Sequence, residues 1–240
     1  MKYLRTVPVS FLCLCFAGCA SKESSRPLTA DQSAAKSRLE QQMREAARTT
    51  QTYHALDNAT LLNRLLEQSK ALQEPFNSLA YRELKTRTNV DPNALTALVK
   101  ENQNAGGLLP LLLLRKLDNK AYMDVSAETR AKVLTDALQA SKTFNTWGLP
   151  GVYLEDASNA MIEAGRNAVP ALKRMLGETR AAPLFGSKEA MLAQQLKYRL
   201  CDYALFFMKK IEGDAQFKLP KTSEERDALI KQAEKQPTKP

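Results

Sequence analysis

Histidine is almost missing from this chain: His54 stands alone among 240 residues. A single imidazole cannot build a multi-histidine metal centre, and no HExxH pattern occurs. Other short motifs that carry a mechanism are missing too. There is no GxSxG, no P-loop and no GxGxxG. No catalytic, cofactor-binding or metal-ligating residue is therefore assigned, and no cofactor is expected. Apolar runs are short, and none reaches the roughly 20 residues that a membrane-spanning helix needs. Period-two alternation of apolar and polar residues, the mark of a half-buried strand, is not found over any useful length. The formal charge is +9, but the basic residues are scattered. The densest spots are Lys85/Arg87, Arg115/Lys116, Lys173/Arg174 and Lys209/Lys210. No basic–aromatic stripe accompanies them, so no nucleic-acid partner is expected. A diffuse surplus of this kind fits a soluble surface, or weak attraction to anionic lipid or wall polymer.

What remains is helical signal. Thr29 with Gln32 makes a capping box and opens a long helix to about Leu56. Its apolar stripe runs Leu39, Met43, Ala46, Thr50, Tyr53, in steps of four and three. Such a stripe must lie on its own domain or on a partner helix. Leu61, Leu62, Leu65, Leu66 and Leu72 mark a second helix. Pro75 starts a third, with Phe76, Leu79, Ala80 and Leu84 inside it. Asp91-Pro92 and Ser126 cap two more. Leu108 to Leu114 is apolar almost without interruption, which predicts a helix buried nearly all round. After the breaker-rich loop Thr146 to Gly151 come helices over Tyr153 to Ala164, Ala168 to Leu176, Lys188 to Ile211 and Ser223 to Ala233. Thr222 with Glu225 forms another capping box. The predicted fold class is all-α, with about ten helices and short connections.

The N-terminus carries a different message. Lys2 and Arg5 form a positive n-region, and Val7 to Ala17 is a short apolar stretch followed by small residues. That layout matches a cleaved secretory signal. Phe16-Ala17-Gly18-Cys19 resembles the signal of bacterial lipoproteins, in which the cysteine is lipidated. The resemblance implies lipidation of Cys19 and a membrane contact through that anchor. Ala20 follows the Cys where an inner-membrane retention signal would carry Asp. The implied place is therefore the outer membrane, facing the periplasm. Residues 1–18 would be the signal, 19–28 a Ser-rich tether with Pro27, 29–235 the helical domain and 236–240 a frayed tail. Cleavage removes Lys2 and Arg5 and leaves a charge of +7. It also removes Cys13 and Cys15, so Cys201 has no partner for an internal disulfide.

Consecutive short helices predict stacked antiparallel pairs of the solenoid kind. One pair is explicit: Tyr153 to Ala164, an αL-type stop at Gly165, then a second helix opened by Ala168-Val169-Pro170-Ala171-Leu172. The stretch Ala160 to Leu176 looks like a HEAT repeat. Arg199-Leu200-Cys201-Asp202-Tyr203-Ala204-Leu205 resembles the first helix of a following unit. A weaker echo lies at Gly107-Leu108-Leu109-Pro110-Leu111-Leu112. The resemblance implies a protein-binding scaffold.

Few residues stand out as chemistry. Glu155/Asp156 and Glu224/Glu225 are adjacent pairs, and neighbours on a helix point about 100° apart. Acids at helix starts favour the helix dipole. Asp202 sits in an apolar helix face and needs a partner, either Arg199 or a backbone N–H from the preceding repeat. Cys201 reads as a buried small hydrophobe or, alternatively, as a reactive thiol without a basic neighbour. His54 ends the long first helix, where a cation or solvated imidazole suits the dipole. Trp147, the single Trp, lies in the loop before the clearest repeat. It is either an anchor for a protein partner or a plug between helix pairs. The function read from all this is a lipid-anchored helical scaffold that binds a protein partner and has no catalysis of its own. The alternatives are an envelope hydrolase and a binder of wall polymer or another anionic ligand. A deep pocket lined by Asp202, Glu155 or Asp156 would favour the enzyme.

Overall fold

Side chains at helix starts fix many of the helices among the described residues. A computed structural model describes residues 29–186 and 190–236. Cys19, the signal, the tether and residues 237–240 of the tail lie outside the described residues. The chain divides into Met1–Ala46 and Ala47–Pro240. In the first unit the described residues are those of helix α1 (Ala30–Ala55) up to Ala46. Thr29 N–H donates to Gln32 Oε1 at 3.0 Å and Gln32 N–H to Thr29 Oγ1 at 3.3 Å, which is the reciprocal capping box. Leu39 and Met43 of the predicted stripe are exposed there, at 56% and 64%.

In the second unit the end of α1 is tied down. Gln68 donates to the Tyr53 hydroxyl at 3.0 Å, and Arg87 donates to the His54 carbonyl at 2.9 Å. Helix α2 (Asn58–Lys70) is capped by Asp57 and ends before Leu72, whose φ of 56° cannot continue a helix. Helix α3 (Leu79–Leu84) starts later than Pro75 predicts. Ser78 caps it, its hydroxyl accepting from Tyr81 N–H at 3.1 Å, and Glu74 to Asn77 form a separate turn. Phe76 is therefore in a turn and exposed, not in the helix. Then come α4 (Pro92–Glu101), α5 (Leu108–Leu117), α6 (Asn119–Asp124) and α7 (Ala127–Ala140). Asp91 and Ser126 cap α4 and α7 as expected. In α5, Leu109 to Leu114 are buried without a break.

The second half departs more from the sequence pattern. Two short antiparallel strands, β1 (Gly148–Leu149) and β2 (Tyr153–Leu154), form a hairpin where the breakers lie. Helix α8 (Asp156–Ala164) starts three residues later than expected. The reason lies in Gly148. Its φ is +76°, and a Cβ there would sit 2.7 Å from Tyr153 O, so only glycine allows this close turn. Gly165 stops α8 at φ 66°, ψ −149°, a glycine conformation that lies outside the predicted αL region. Helix α9 (Val169–Arg174) follows, with Pro170 in its first turn.

The helix expected over Lys188 to Ile211 is two helices, α10 (Ala190–Leu196) and α11 (Leu200–Ile211). The break at Lys197, whose φ is 48°, lets Tyr198 to Cys201 pair with the loop before them. Ala182 N–H donates to Tyr198 O, Leu200 N–H to Arg180 O and Cys201 N–H to Glu178 O, each at 2.9 Å. Helix α12 (Ser223–Lys235) closes the described fold. The fold is all-α, and among the described residues the hairpin and one isolated bridge between Ala181 and Arg199 are the only β-type pairing.

Neighbouring helices along the chain pack on one another: α2 on α3 and α5, α4 on α5 and α6, α7 on α8, and α11 on α8, α9 and α12. Leu172, Leu176, Leu200, Ala204 and Phe207 are core, while Leu196 and Ile211 are only partly buried. Among the described residues no helix is long and apolar enough to cross a membrane.

Candidate functional site

The buried carboxylate of Glu74 links two segments that are distant in sequence. It accepts from the Thr143 hydroxyl at 2.5 Å and from Thr146 N–H at 2.8 Å. Burial raises its pKa above the ordinary Glu value, and the bonds from Thr143 and Thr146 pull the other way. The contact fastens the turn carrying Pro75 and Phe76 to the loop that follows α7. Asn145 in that loop then holds a third segment. Its Nδ2 donates to Phe185 O at 2.6 Å, and its Oδ1 accepts from Phe185 N–H at 3.2 Å. Phe144 N–H also donates to Pro183 O at 2.9 Å.

Phe76 and Phe185 thus stand on anchored backbone while their side chains face water, at 54% and 61% exposure. They line one cleft of about 750 Å³. That volume lies inside the range of roughly 300–1,000 Å³ typical of ligand pockets. Tyr81, also in its lining, is 4% exposed. Burial first, and then the Asp156 charge, raises the pKa of its phenol, which stays neutral. Arg82 and Lys85 line the cleft from the α3 side; both are exposed, and neither makes an ion pair among the described residues. Glu155 and Asp156 line it from the start of α8. Asp156 is 3.5 Å from Arg115, which also grips Glu163 with two bonds of 2.9 and 2.6 Å. Glu155, by contrast, is exposed and makes no side-chain cap bond. The cleft therefore offers two free cations, one free carboxylate and two open aromatic rings.

Asp202 lies elsewhere, in a closed ionic cluster, and is fully buried. Its Oδ2 accepts from Arg199 N–H at 2.8 Å, and its Oδ1 accepts from Arg199 Nη2 at 3.0 Å. Arg226 Nε lies 3.2 Å from the same Oδ1, an ion-pair contact without hydrogen-bond alignment. Arg226 is 1% exposed and donates to the carbonyls of Pro220, Lys221 and Leu196. Its guanidinium also stacks 5.0 Å above the Tyr198 ring. Arg199 completes the cluster with a 2.6 Å bond to Asp227. The pairing with the Arg199 side chain was legible in the sequence; the backbone N–H is that of Arg199 itself and not one from the preceding repeat, and Arg226 was not foreseen. This cluster joins α12 to α11, and none of Arg199, Asp202, Arg226 and Asp227 lines the cleft.

The partner-anchor reading of Trp147 does not fit its position. The ring is 1% exposed, lies 6.0 Å from the Phe207 ring, and donates from Nε1 to the Ser141 hydroxyl at 2.9 Å. Of the two expected roles, this geometry is the plug. A core aromatic group explains it: Phe144 stacks on Tyr203 at 4.7 Å, and the Tyr203 hydroxyl bonds Gly148 O at 2.6 Å. The exposed aromatics that sequence reasoning missed are Phe76 and Phe185. The available signal was position: Phe76 follows Pro75, and Phe185 sits in the loop Pro183-Leu184-Phe185-Gly186.

The remaining candidates are quiet. Cys201 is buried, and its pKa is pushed up to about 11 by burial and then by the Asp202 charge, which disfavours a thiolate. His54 Nδ1 lies 3.1 Å from Glu83, which Arg87 also binds. Thr222 caps α12, its hydroxyl accepting from Glu225 N–H at 3.3 Å, while the Glu225 carboxylate accepts from that hydroxyl at 2.9 Å and not from the Thr222 N–H that the expected capping box requires. Among the described residues no group of three or more His, Cys, Asp or Glu is placed to hold a metal ion. No known family model, no curated protein and no solved structure matches this chain.

Proposed function

We propose that this chain is a lipid-anchored helical module facing the periplasm that binds a protein partner and performs no catalysis of its own. The anchor would be Cys19, and the outer membrane the place that Ala20 implies. The succession of short packed helices supports a HEAT-like scaffold role. The observation that carries the binding role is the pair of exposed aromatics, Phe76 and Phe185, set on fastened backbone around one cleft. Exposed rings on pre-ordered loops are what interface hot spots are made of, because little entropy is lost when they are covered. The test is photo-crosslinking in intact membranes with a benzoylphenylalanine at position 185. A discrete protein adduct that disappears with Phe76→Ala supports the role. The absence of any adduct contradicts it.

An envelope hydrolase is the second reading, and one observation favours it: Glu155 and Asp156 both line the cleft. Hydrolysis by two carboxyls needs one as acid and one as base or nucleophile. Here Asp156 is already engaged by Arg115, so Glu155 would have to act without it. Hydrolysis of a wall or lipid substrate by the wild-type chain that Glu155→Gln abolishes would establish this reading in place of the first.

A further inference from the structure

The cleft's charges say what kind of segment would fill it. Arg82 and Lys85 project from one side with no ion pair among the described residues. The acids nearest in the lining do not cancel them equally. Asp156 lies 3.5 Å from Arg115, which it shares with the more closely bound Glu163, while Glu155 makes no ion pair among the described residues. The formal charges of the lining sum to zero, but the two signs are segregated: Arg82 and Lys85 come from the end of α3, and the two carboxylates from the start of α8. The apolar component is just as definite, because Phe76, Phe185 and the half-buried Tyr153 line the same space. A volume of about 750 Å³ suits a short stretch of chain and is too small for a folded domain to enter.

Resting on the partner-binding reading, we propose that the occupant is an extended peptide segment of the partner in which a large apolar side chain stands next to an acidic one. The apolar side chain packs against Phe76 and Phe185. The carboxylate meets Arg82 and Lys85. The cations sit at exposed positions, so their attraction is screened at physiological salt, where the Debye length is about 8 Å. The aromatic contact then supplies most of the affinity, and the charges select sequence and speed encounter.

The full chain, immobilised, can be panned against a display library of randomised octapeptides. The winners are then measured as capped synthetic peptides in solution. The expected consensus places Asp or Glu beside Leu, Ile, Phe or Trp. Binding should fall at least about tenfold with Arg82→Glu/Lys85→Glu and with Phe76→Ala/Phe185→Ala. It should also weaken as salt rises. A consensus without an acidic residue overturns the proposal, as does binding that ignores both double variants. So does an empty selection in which anionic vesicles bind through Arg82 and Lys85, which would make the occupant a lipid surface. Self-association that the Phe76→Ala/Phe185→Ala variant abolishes would make it a second copy of this chain. These outcomes are separable from failure of the wider reading. A crosslinked partner at position 185, together with a basic or purely apolar consensus, leaves the module standing and removes only the acidic-peptide assignment.

Discussion

The Asp202 cluster and the rim of the cleft are built from the same residue types and differ in how far their charges are satisfied. In the cluster, Asp202 and Arg226 are at most 1% exposed, and Arg199 is shared between Asp202 and Asp227. A charge moved out of water is tolerable only when partners replace its hydration, and here two helices supply them. At the rim, Arg82 and Lys85 keep their hydration and have no protein partner among the described residues. The aromatics divide in the same way. Trp147 and Phe207 interlock in the core, while Phe76 and Phe185 stand in water. The satisfied set holds the structure, and the unsatisfied set is the surface on which the proposed partner binding rests.

The largest effect should come from breaking the satisfied set. Asp202→Asn leaves Arg226 buried without its counter-charge and should cost about 3–5 kcal/mol in urea denaturation. Trp147→Ala should cost a similar ~3–5 kcal/mol, since it empties a core site. A melt close to wild type for Trp147→Ala would return that residue to the list of surface anchors. Leu200→Ala should cost about 2–5 kcal/mol if α11 is packed as described.

Glu74 gives a smaller effect with a sign. Its pKa is raised in the fold, so the folded state holds the proton more tightly than the unfolded chain does. Its contribution is therefore greatest below the ordinary Glu value and is lost as pH rises through the folded value. The stability advantage of wild type over Glu74→Gln should shrink as pH rises above the ordinary Glu range, and an advantage that grows would contradict the burial argument. Asp227 has the opposite sign. Its pKa is lowered, chiefly by the hydrogen bond from Arg199, so the stability it contributes is lost as pH falls. The smallest effect belongs to the rim: Arg82→Ala/Lys85→Ala should change stability by less than about 0.5 kcal/mol.

How much of this was legible in the sequence follows the range of the interactions. Caps act over three residues, and Thr29, Asp91, Ser126 and Thr222 all serve as helix starts. The apolar run at Leu108 to Leu114 was legible for the same reason. What failed depends on distant partners. The break at Lys197 follows from pairing between Tyr198–Cys201 and the loop from Glu178 to Ala182, which no periodicity announces. Trp147 is rare in composition, and rarity says nothing of burial. Its burial depends on Phe207, sixty residues on. The cleft was not legible because Glu74 and Asn145 assemble it from three segments.

The most direct test of the central claim is to measure Phe76→Ala/Phe185→Ala for stability and for partner capture together. Capture is read by benzoylphenylalanine crosslinking from position 85 in intact membranes. The account predicts a folding stability within about 0.5 kcal/mol of wild type and loss of the crosslinked adduct. An undiminished adduct, or a stability loss of several kcal/mol, would contradict it.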